Sequence, residues 1–177
     1  MKIFLLSFCC FLMFACGGGK NQQQGIPPHI FFENKTYSLK YPRNWKPELE
    51  EKGRMDFLVY CANEGEKDEF DDYVGVSAYT DSSFTNMTDF AARKRKALES
   101  DTTGIKLLSS STKKNEVGDY FEMTYEVRTD ELKIVIQKRI YKHHEALFEL
   151  AFIALPATRE KNLEGAMMIF DSFRFQY

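Results

Sequence analysis

The chain has 177 residues, with 24 Lys and Arg against 26 Asp and Glu and a formal net charge of −2. That balance excludes the broad positive field that nucleic-acid binding requires, and the length allows one domain with a real hydrophobic core. A disulfide framework is excluded too: of 4 cysteines, Cys9, Cys10 and Cys16 precede the glycine run at Gly17, which leaves Cys61 alone in the body of the chain.

The N-terminus reads as a leader. Lys2 supplies a positive charge, and Ile3 to Ala15 is apolar except for Ser7. This is about 13 residues, short of the roughly 20 that a membrane-spanning helix needs, so a signal peptide over residues 1–15 is expected. Leu12-Met13-Phe14-Ala15-Cys16 resembles a bacterial lipobox. The resemblance implies that Cys16 is lipidated, with thioether- and amide-linked acyl chains such as palmitate. Each buried CH₂ is worth about 0.8 kcal/mol, and two or more chains make an anchor stable. Gly17-Gly18-Gly19 and the polar stretch to Gly25 follow. They read as a flexible tether, residues 16–29, that holds a folded domain of residues 30–177 near a membrane in the bacterial cell envelope, facing the periplasm or the exterior.

The first strand is predicted where Tyr37, Leu39 and Tyr41 alternate with polar residues before Pro42. A second places Met55, Phe57, Val59 and Cys61 on one face, and a third runs from Tyr73 to Thr80. A helix follows, with Asn86 as its cap, Asp89 in its first turn, and Met87, Phe90, Ala91, Ala97 and Leu98 as its apolar stripe. Strands are predicted over Ile105–Thr112, around Phe121–Val127, and over Leu132–Lys142. Leu147–Leu155 is apolar on both faces almost throughout, as a central strand covered on both sides must be. A second helix is expected to start at Thr158 and to bury Leu163, Ala166, Met167 and Phe170, running into a final short strand at Ser172–Phe175. These elements give an α+β domain, an antiparallel sheet between helical layers.

The opening Tyr37-Ser38-Leu39-Lys40-Tyr41-Pro42-Arg43-Asn44-Trp45 and the ending Asp171-Ser172-Phe173-Arg174-Phe175 resemble the two ends of PsbP-like domains. The resemblance covers roughly residues 30–177. It implies an α/β/α sandwich and a role in binding rather than catalysis, since the family includes photosystem extrinsic subunits, a Ran-binding nuclear protein and bacterial envelope lipoproteins. Fold alone does not fix function.

Motifs of catalysis are missing from the sequence: there is no Gly-x-Ser-x-Gly, no phosphate loop, no His-Glu-x-x-His and no Cys-x-x-Cys. No catalytic, cofactor-binding or metal-ligating residue is therefore assigned, and the chain is expected not to be an enzyme. Cys61 reads as a small core residue and Trp45 as a lid over the sheet edge. His143 and His144 read as exposed turn residues pointing to opposite faces. Two charge runs are candidate partner contacts. Arg93, Lys94, Arg95 and Lys96 lie on the first helix, where anionic headgroups could meet them. Glu64 to Asp72 carries six carboxylates. Among them Glu66, Asp68, Glu69, Asp71 and Asp72 are expected on a solvated hairpin loop that steers a basic partner and holds no tight metal. The leading reading is an envelope lipoprotein with a non-catalytic domain that binds a protein partner. Its rivals are a carrier of a small apolar ligand and a hydrolase with a site of dispersed residues.

Overall fold

The computed structural model describes residues 28–48, 55–62 and 70–177. The leader, Cys16, nearly all of the tether, and Glu66, Asp68 and Glu69 of the acidic run lie outside the described residues.

Among the described residues, ten strands and two helices follow one another as β1 (His29–Glu33), β2 (Tyr37–Pro42), β3 (Lys46–Glu48), β4 (Phe57–Tyr60), β5 (Tyr73–Tyr79), α1 (Met87–Glu99), β6 (Ile105–Lys114), β7 (Asp119–Arg128), β8 (Lys133–His143), β9 (Ala146–Ala154), α2 (Pro156–Ser172) and β10 (Arg174–Phe175). The strands make two antiparallel sheets. Seven form one sheet in the order β3-β4-β5-β9-β8-β7-β6, and three form another in the order β1-β2-β10. One expectation is thereby refined: the first and last predicted strands do not extend the main sheet but pair with each other in a small second one.

The small sheet and α2 together cover one face of the large sheet. Tyr37, Leu39 and Tyr41 of β2 point into this core and meet Phe57, Val59, Val74, Phe148, Leu150 and Phe152, with Ala166, Ile169 and Phe170 from α2. Tyr37 packs on Phe148 and on Phe173 at ring-centroid distances of 6.2 and 5.3 Å. On the other face α1 lays Met87, Phe90 and Ala91 over Phe121, Met123, Tyr125, Ile140 and Leu147. β9 is therefore sandwiched, with Phe148, Leu150 and Phe152 on one side and Leu147 on the other, as its two apolar faces predicted. The chain is an α+β sandwich, as expected.

Local chemistry sets the ends of α1. Asn86 Oδ1 accepts from the Asp89 N–H at 2.9 Å, and the Asp89 carboxylate accepts from Asn86 Nδ2 at 2.8 Å, so the predicted capping pair closes in both directions. Ala97, expected on the apolar stripe, is exposed, while Leu98 beside it still packs against the cluster under α1. The start of α2 differs from the prediction. It begins at Pro156, with Leu155 as N-cap and no side-chain cap of its own. Thr158 lies inside the first turn, its hydroxyl donating back to the Leu155 carbonyl at 3.3 Å. Proline at the first helical position needs no N–H partner and has its φ already set.

Met55 also departs from its predicted place. It precedes β4 and sits over Gly75, where a Cβ would lie 2.4 Å from its Sδ. Gly75 alternates with Val74 and Val76, so Met55 covers the opposite face from Phe57, Val59 and Cys61. The sequence reading missed β1 and β3. β1 is apolar on both faces and shows no alternation; β3 holds Pro47, tolerated because the strand is an edge.

Trp45 is buried, as predicted for a core lid. Its indole lies against α2 at Gly165, where a Cβ would stand 2.5 Å from Trp45 Cζ2 and 2.9 Å from Pro42 Cγ. Gly165→Ala should therefore lower stability, by up to about 2 kcal/mol. The overpacking cost of roughly 1–3 kcal/mol exceeds the gain of about 1 kcal/mol from putting alanine in a helix. Thermal unfolding would check this. A midpoint equal to or above that of the parent would show that the contact is loose.

Candidate functional site

The four basic residues of α1 do not make a patch. The Arg93 guanidinium approaches Asp81 at 3.6 Å and donates to the Ser83 hydroxyl. The Lys94 ammonium lies 5.3 Å from the centroid of the Phe90 ring. Arg95 Nε donates to Ser110 Oγ on β6 at 2.9 Å. Lys96 is exposed in the last turn, where the helix dipole favours a cation. Four successive helical positions diverge, and three of the four side chains are engaged within the domain.

The acidic run divides at its end. Asp71 is exposed. Asp72 is not part of a solvated loop: it is only 4% exposed. Its Oδ1 accepts from the Leu155 backbone N–H at 3.0 Å and its Oδ2 from Asn162 Nδ2 at 2.9 Å. Its own carbonyl takes the Cys61 N–H at 2.8 Å. Asp72 thus does from a distance what Thr158 was expected to do locally. It places a carboxylate at the positive end of α2 and ties that end to the start of β5. As a partner contact it is corrected, since burial removes it from any partner's reach.

Cys61 is buried against the same cluster. Burial first, and then the Asp72 carboxylate, pushes its thiol far above the ordinary range, so the thiolate that would act as nucleophile or ligand is suppressed.

Arg139 and Lys138 are likewise engaged inside the domain, whereas Tyr37 Oη and Arg159 Nε are buried without a hydrogen-bond partner. Arg139, on β8, is 3% exposed. Its Nε and Nη2 reach Glu122 Oε2 at 3.3 and 3.1 Å, and its Nη1 reaches the Phe170 carbonyl at 3.0 Å and Asp171 Oδ1 at 2.9 Å. The guanidinium also lies 4.7 Å from the Tyr120 centroid. Its pKa is held above the ordinary value: burial works against the charge, and the Asp171 hydrogen bond and its other partners outweigh it. Lys138 is paired with Glu149 at 2.7 Å. Tyr37 and Tyr79 are held above the ordinary tyrosine range first by burial, and Tyr60 first by its hydrogen bond to Glu48. These perturbed groups are spread through the core, and none of them lines the cleft between the β5–α1 connection and the β8–β9 turn.

A cleft of about 420 Å³ opens between the β5–α1 connection and the β8–β9 turn. It is lined by Thr80, Asp81, Ser82, Phe84, Thr85, Lys142, His144 and Glu145. Asp81 is held below the usual carboxylate range, chiefly by hydrogen bonds from the Ser83 hydroxyl and N–H. The Lys142 ammonium lies 5.4 Å from the Phe84 centroid and stands over that ring. The cleft mixes both signs of charge. Among the described residues, no group of three or more His, Cys, Asp or Glu is placed to hold a metal ion.

His143 and His144 do not diverge as expected. His144 leaves the strand with φ 47, which folds its ring back to 4.1 Å from that of His143. His143 stacks on Phe175 at 3.9 Å and 5°, so it caps the aromatic end of the core and is not a free turn residue.

No helix among the described residues is long and apolar enough to cross a membrane. No family model and no curated protein matches the sequence. Solved structures do. The cyanobacterial PsbP of Synechocystis sp. PCC 6803 superposes with a TM-score of 0.58 at 15% identity, over 93% of this chain and 99% of that one. LpqN of Mycobacterium tuberculosis, described as involved in cell envelope biogenesis, gives 0.59 at 11% identity over 85% and 91%. The Ran-binding protein Mog1p of Saccharomyces cerevisiae gives 0.59 at 9% identity over 84% and 96%. The fold is PsbP-like, as the two ends of the sequence suggested. At these identities the likeness speaks to fold alone.

Proposed function

We propose that this chain is an envelope-anchored lipoprotein whose PsbP-like domain binds a protein partner and catalyses no reaction. The observation that carries the second half is the fate of the buried reactive groups. Arg139, Lys138 and Asp72 are consumed by partners inside the domain, and the Cys61 thiol is suppressed by burial. Enzyme sites gather perturbed groups in a shared cleft; here they are dispersed through the core. The similar structures agree with a binding role, one being a Ran-binding protein and one involved in cell envelope biogenesis.

The first half rests on the sequence pattern at Leu12–Cys16 and the glycine tether after it. Anchored at Cys16, the domain would face its partner close to the membrane surface. Arg93, Lys94, Arg95 and Lys96 would then lie within reach of anionic headgroups, and Glu66, Asp68, Glu69 and Asp71 would steer a basic partner. Cross-linking in intact cells followed by mass spectrometry tests the binding role. Recovery of one dominant partner supports it; recovery of turnover products from a substrate screen in place of any partner overturns it.

The anchor has its own test. The chain should partition into the detergent phase on cloud-point separation, and Cys16→Ala should move it to the aqueous phase once the leader is removed. A processed Cys16→Ala chain that stays with detergent refutes lipidation at that residue.

A further inference from the structure

The two sheets present four edges, and three of them carry guards against pairing with another strand. β3 is three residues long with Pro47 at its centre, and β10 is two residues long. β6 is long, but its register breaks between Leu107 and Ser109 and it carries Lys106, Lys113 and Lys114. Bulges, lysines, prolines and shortness are the usual means of blunting an edge. β1 has none of them. Its five residues read His-Ile-Phe-Phe-Glu, and Ile30 and Phe31 are 38% and 56% exposed. Among the described residues no strand pairs with its outer edge.

The backbone of β1 is set for such pairing. Arg43 N–H donates to the Pro28 carbonyl at 2.8 Å, and Asn34 N–H donates to the Tyr37 carbonyl at 3.0 Å. Alternate residues of an antiparallel strand turn both their N–H and C=O to the same neighbour. Ile30 and Phe32, in step with Pro28 and Asn34, therefore serve β2, while His29, Phe31 and Glu33 direct both groups outward.

We propose that β1 is a self-association edge, pairing antiparallel with β1 of a second copy about a two-fold axis at Phe31. The sequence of the strand complements itself in that register. Phe31 lies opposite Phe31 of the second copy, His29 opposite its Glu33, and Ile30 opposite its Phe32. The three outward residues each exchange N–H and C=O across the seam, and the most exposed phenylalanine ring among the described residues is covered. Cross-strand aromatic pairs and pairs of complementary charge are the ones that stabilise a ladder. The same operation on β6, centred at Ser110, would set Lys106 against Lys114 of the second copy, a like-charge pair that disfavours it. The pairing joins the two small sheets into a continuous one, an isologous contact of the commonest kind.

Two copies of the full chain carrying different tags, co-expressed and extracted together, test this. They should co-purify. Phe31→Lys, which sets ammonium against ammonium on the axis, should lower recovery of the second tag about tenfold or more, as loss of a central aromatic anchor does. Its circular dichroism should match that of the parent, because the side chain is exposed. Should Phe31→Lys misfold, charge reversal carries the test: Glu33→Lys alone should weaken recovery, and His29→Glu added to it should restore it. Phe31→Cys should cross-link to itself with a short bifunctional thiol reagent, and Leu108→Cys, of similar exposure, should not. Tags that fail to co-purify, equal cross-linking at Leu108, failure of the charge rescue, or capture of a different protein at Phe31 would each overturn self-pairing.

Discussion

Replacing Arg139 with methionine should remove about 3–5 kcal/mol of folding stability, the range found when one member of a buried ion pair is deleted. The guanidinium ties β8 to two other elements: to Glu122 on β7, and to the Phe170 carbonyl and Asp171 near the end of α2. Methionine fills much of the volume but takes away one of the two cations that face the half-buried Glu122 carboxylate, leaving it Lys113 at 2.5 Å. Urea titration would measure the loss as a shift of midpoint at constant slope. Glu122→Met in the same background should recover part of it, because an apolar pair of similar volume tolerates burial better than a carboxylate that has lost one of its two cations. Asp171 is 64% exposed at its side chain; its half of the network is screened, and Asp171→Asn should cost under about 1 kcal/mol. A loss at Arg139 below about 1 kcal/mol, or strict additivity of Arg139→Met and Glu122→Met, would show that the pair is not coupled.

What the sequence made legible was local or periodic. Asn86 and Asp89 lie three residues apart, so the capping pair needs only one helical turn to form. Phe121, Met123, Tyr125 and Val127 alternate with polar residues because β7 has one face under α1. Phe148, Leu150 and Phe152 break no alternation rule, since both faces of β9 are covered. The PsbP-like fold was legible at the two ends, where β2 runs into Trp45 and α2 into β10.

The parts that were not legible depend on long-range pairs. Nothing near Arg139 in sequence reveals that Glu122 and Asp171 will surround it, at separations of 17 and 32 residues. β1 carries phenylalanines on both of its faces, so its strand period is invisible; the register with β2 supplies it. Met55 falls in step with Phe57 and Val59, yet the bend at Asp56 turns it to the other face. Asp72 stands at the end of an acidic run, and composition gives no reason to separate it from Asp71.

That separation leads to the second large effect. Asp72→Ala should cost about 3–6 kcal/mol, because two charge-assisted hydrogen bonds, each worth about 1.5–3 kcal/mol, are lost and their donors are left in a buried setting. The donors are the Leu155 N–H, at the N-cap of α2, and Asn162 Nδ2 about two turns further in. Removing the carboxylate also takes a negative charge from the end of the helix where the dipole most favours one. Asp72→Asn keeps an oxygen for one donor but turns an amide towards the other, so it should fall between the parent and alanine. Chemical denaturation gives the order, and hydrogen exchange locates the change: the first turn of α2 should lose protection before the strands of the large sheet. The alternative, a carboxylate that meets a partner, predicts a different pair of results. Stability would hold and partner capture would fall. An alanine variant with the parent's midpoint and weakened capture would return Asp72 to the surface, against its burial. A destabilised variant with early exchange in α2 identifies it as the clamp between β5 and the helix.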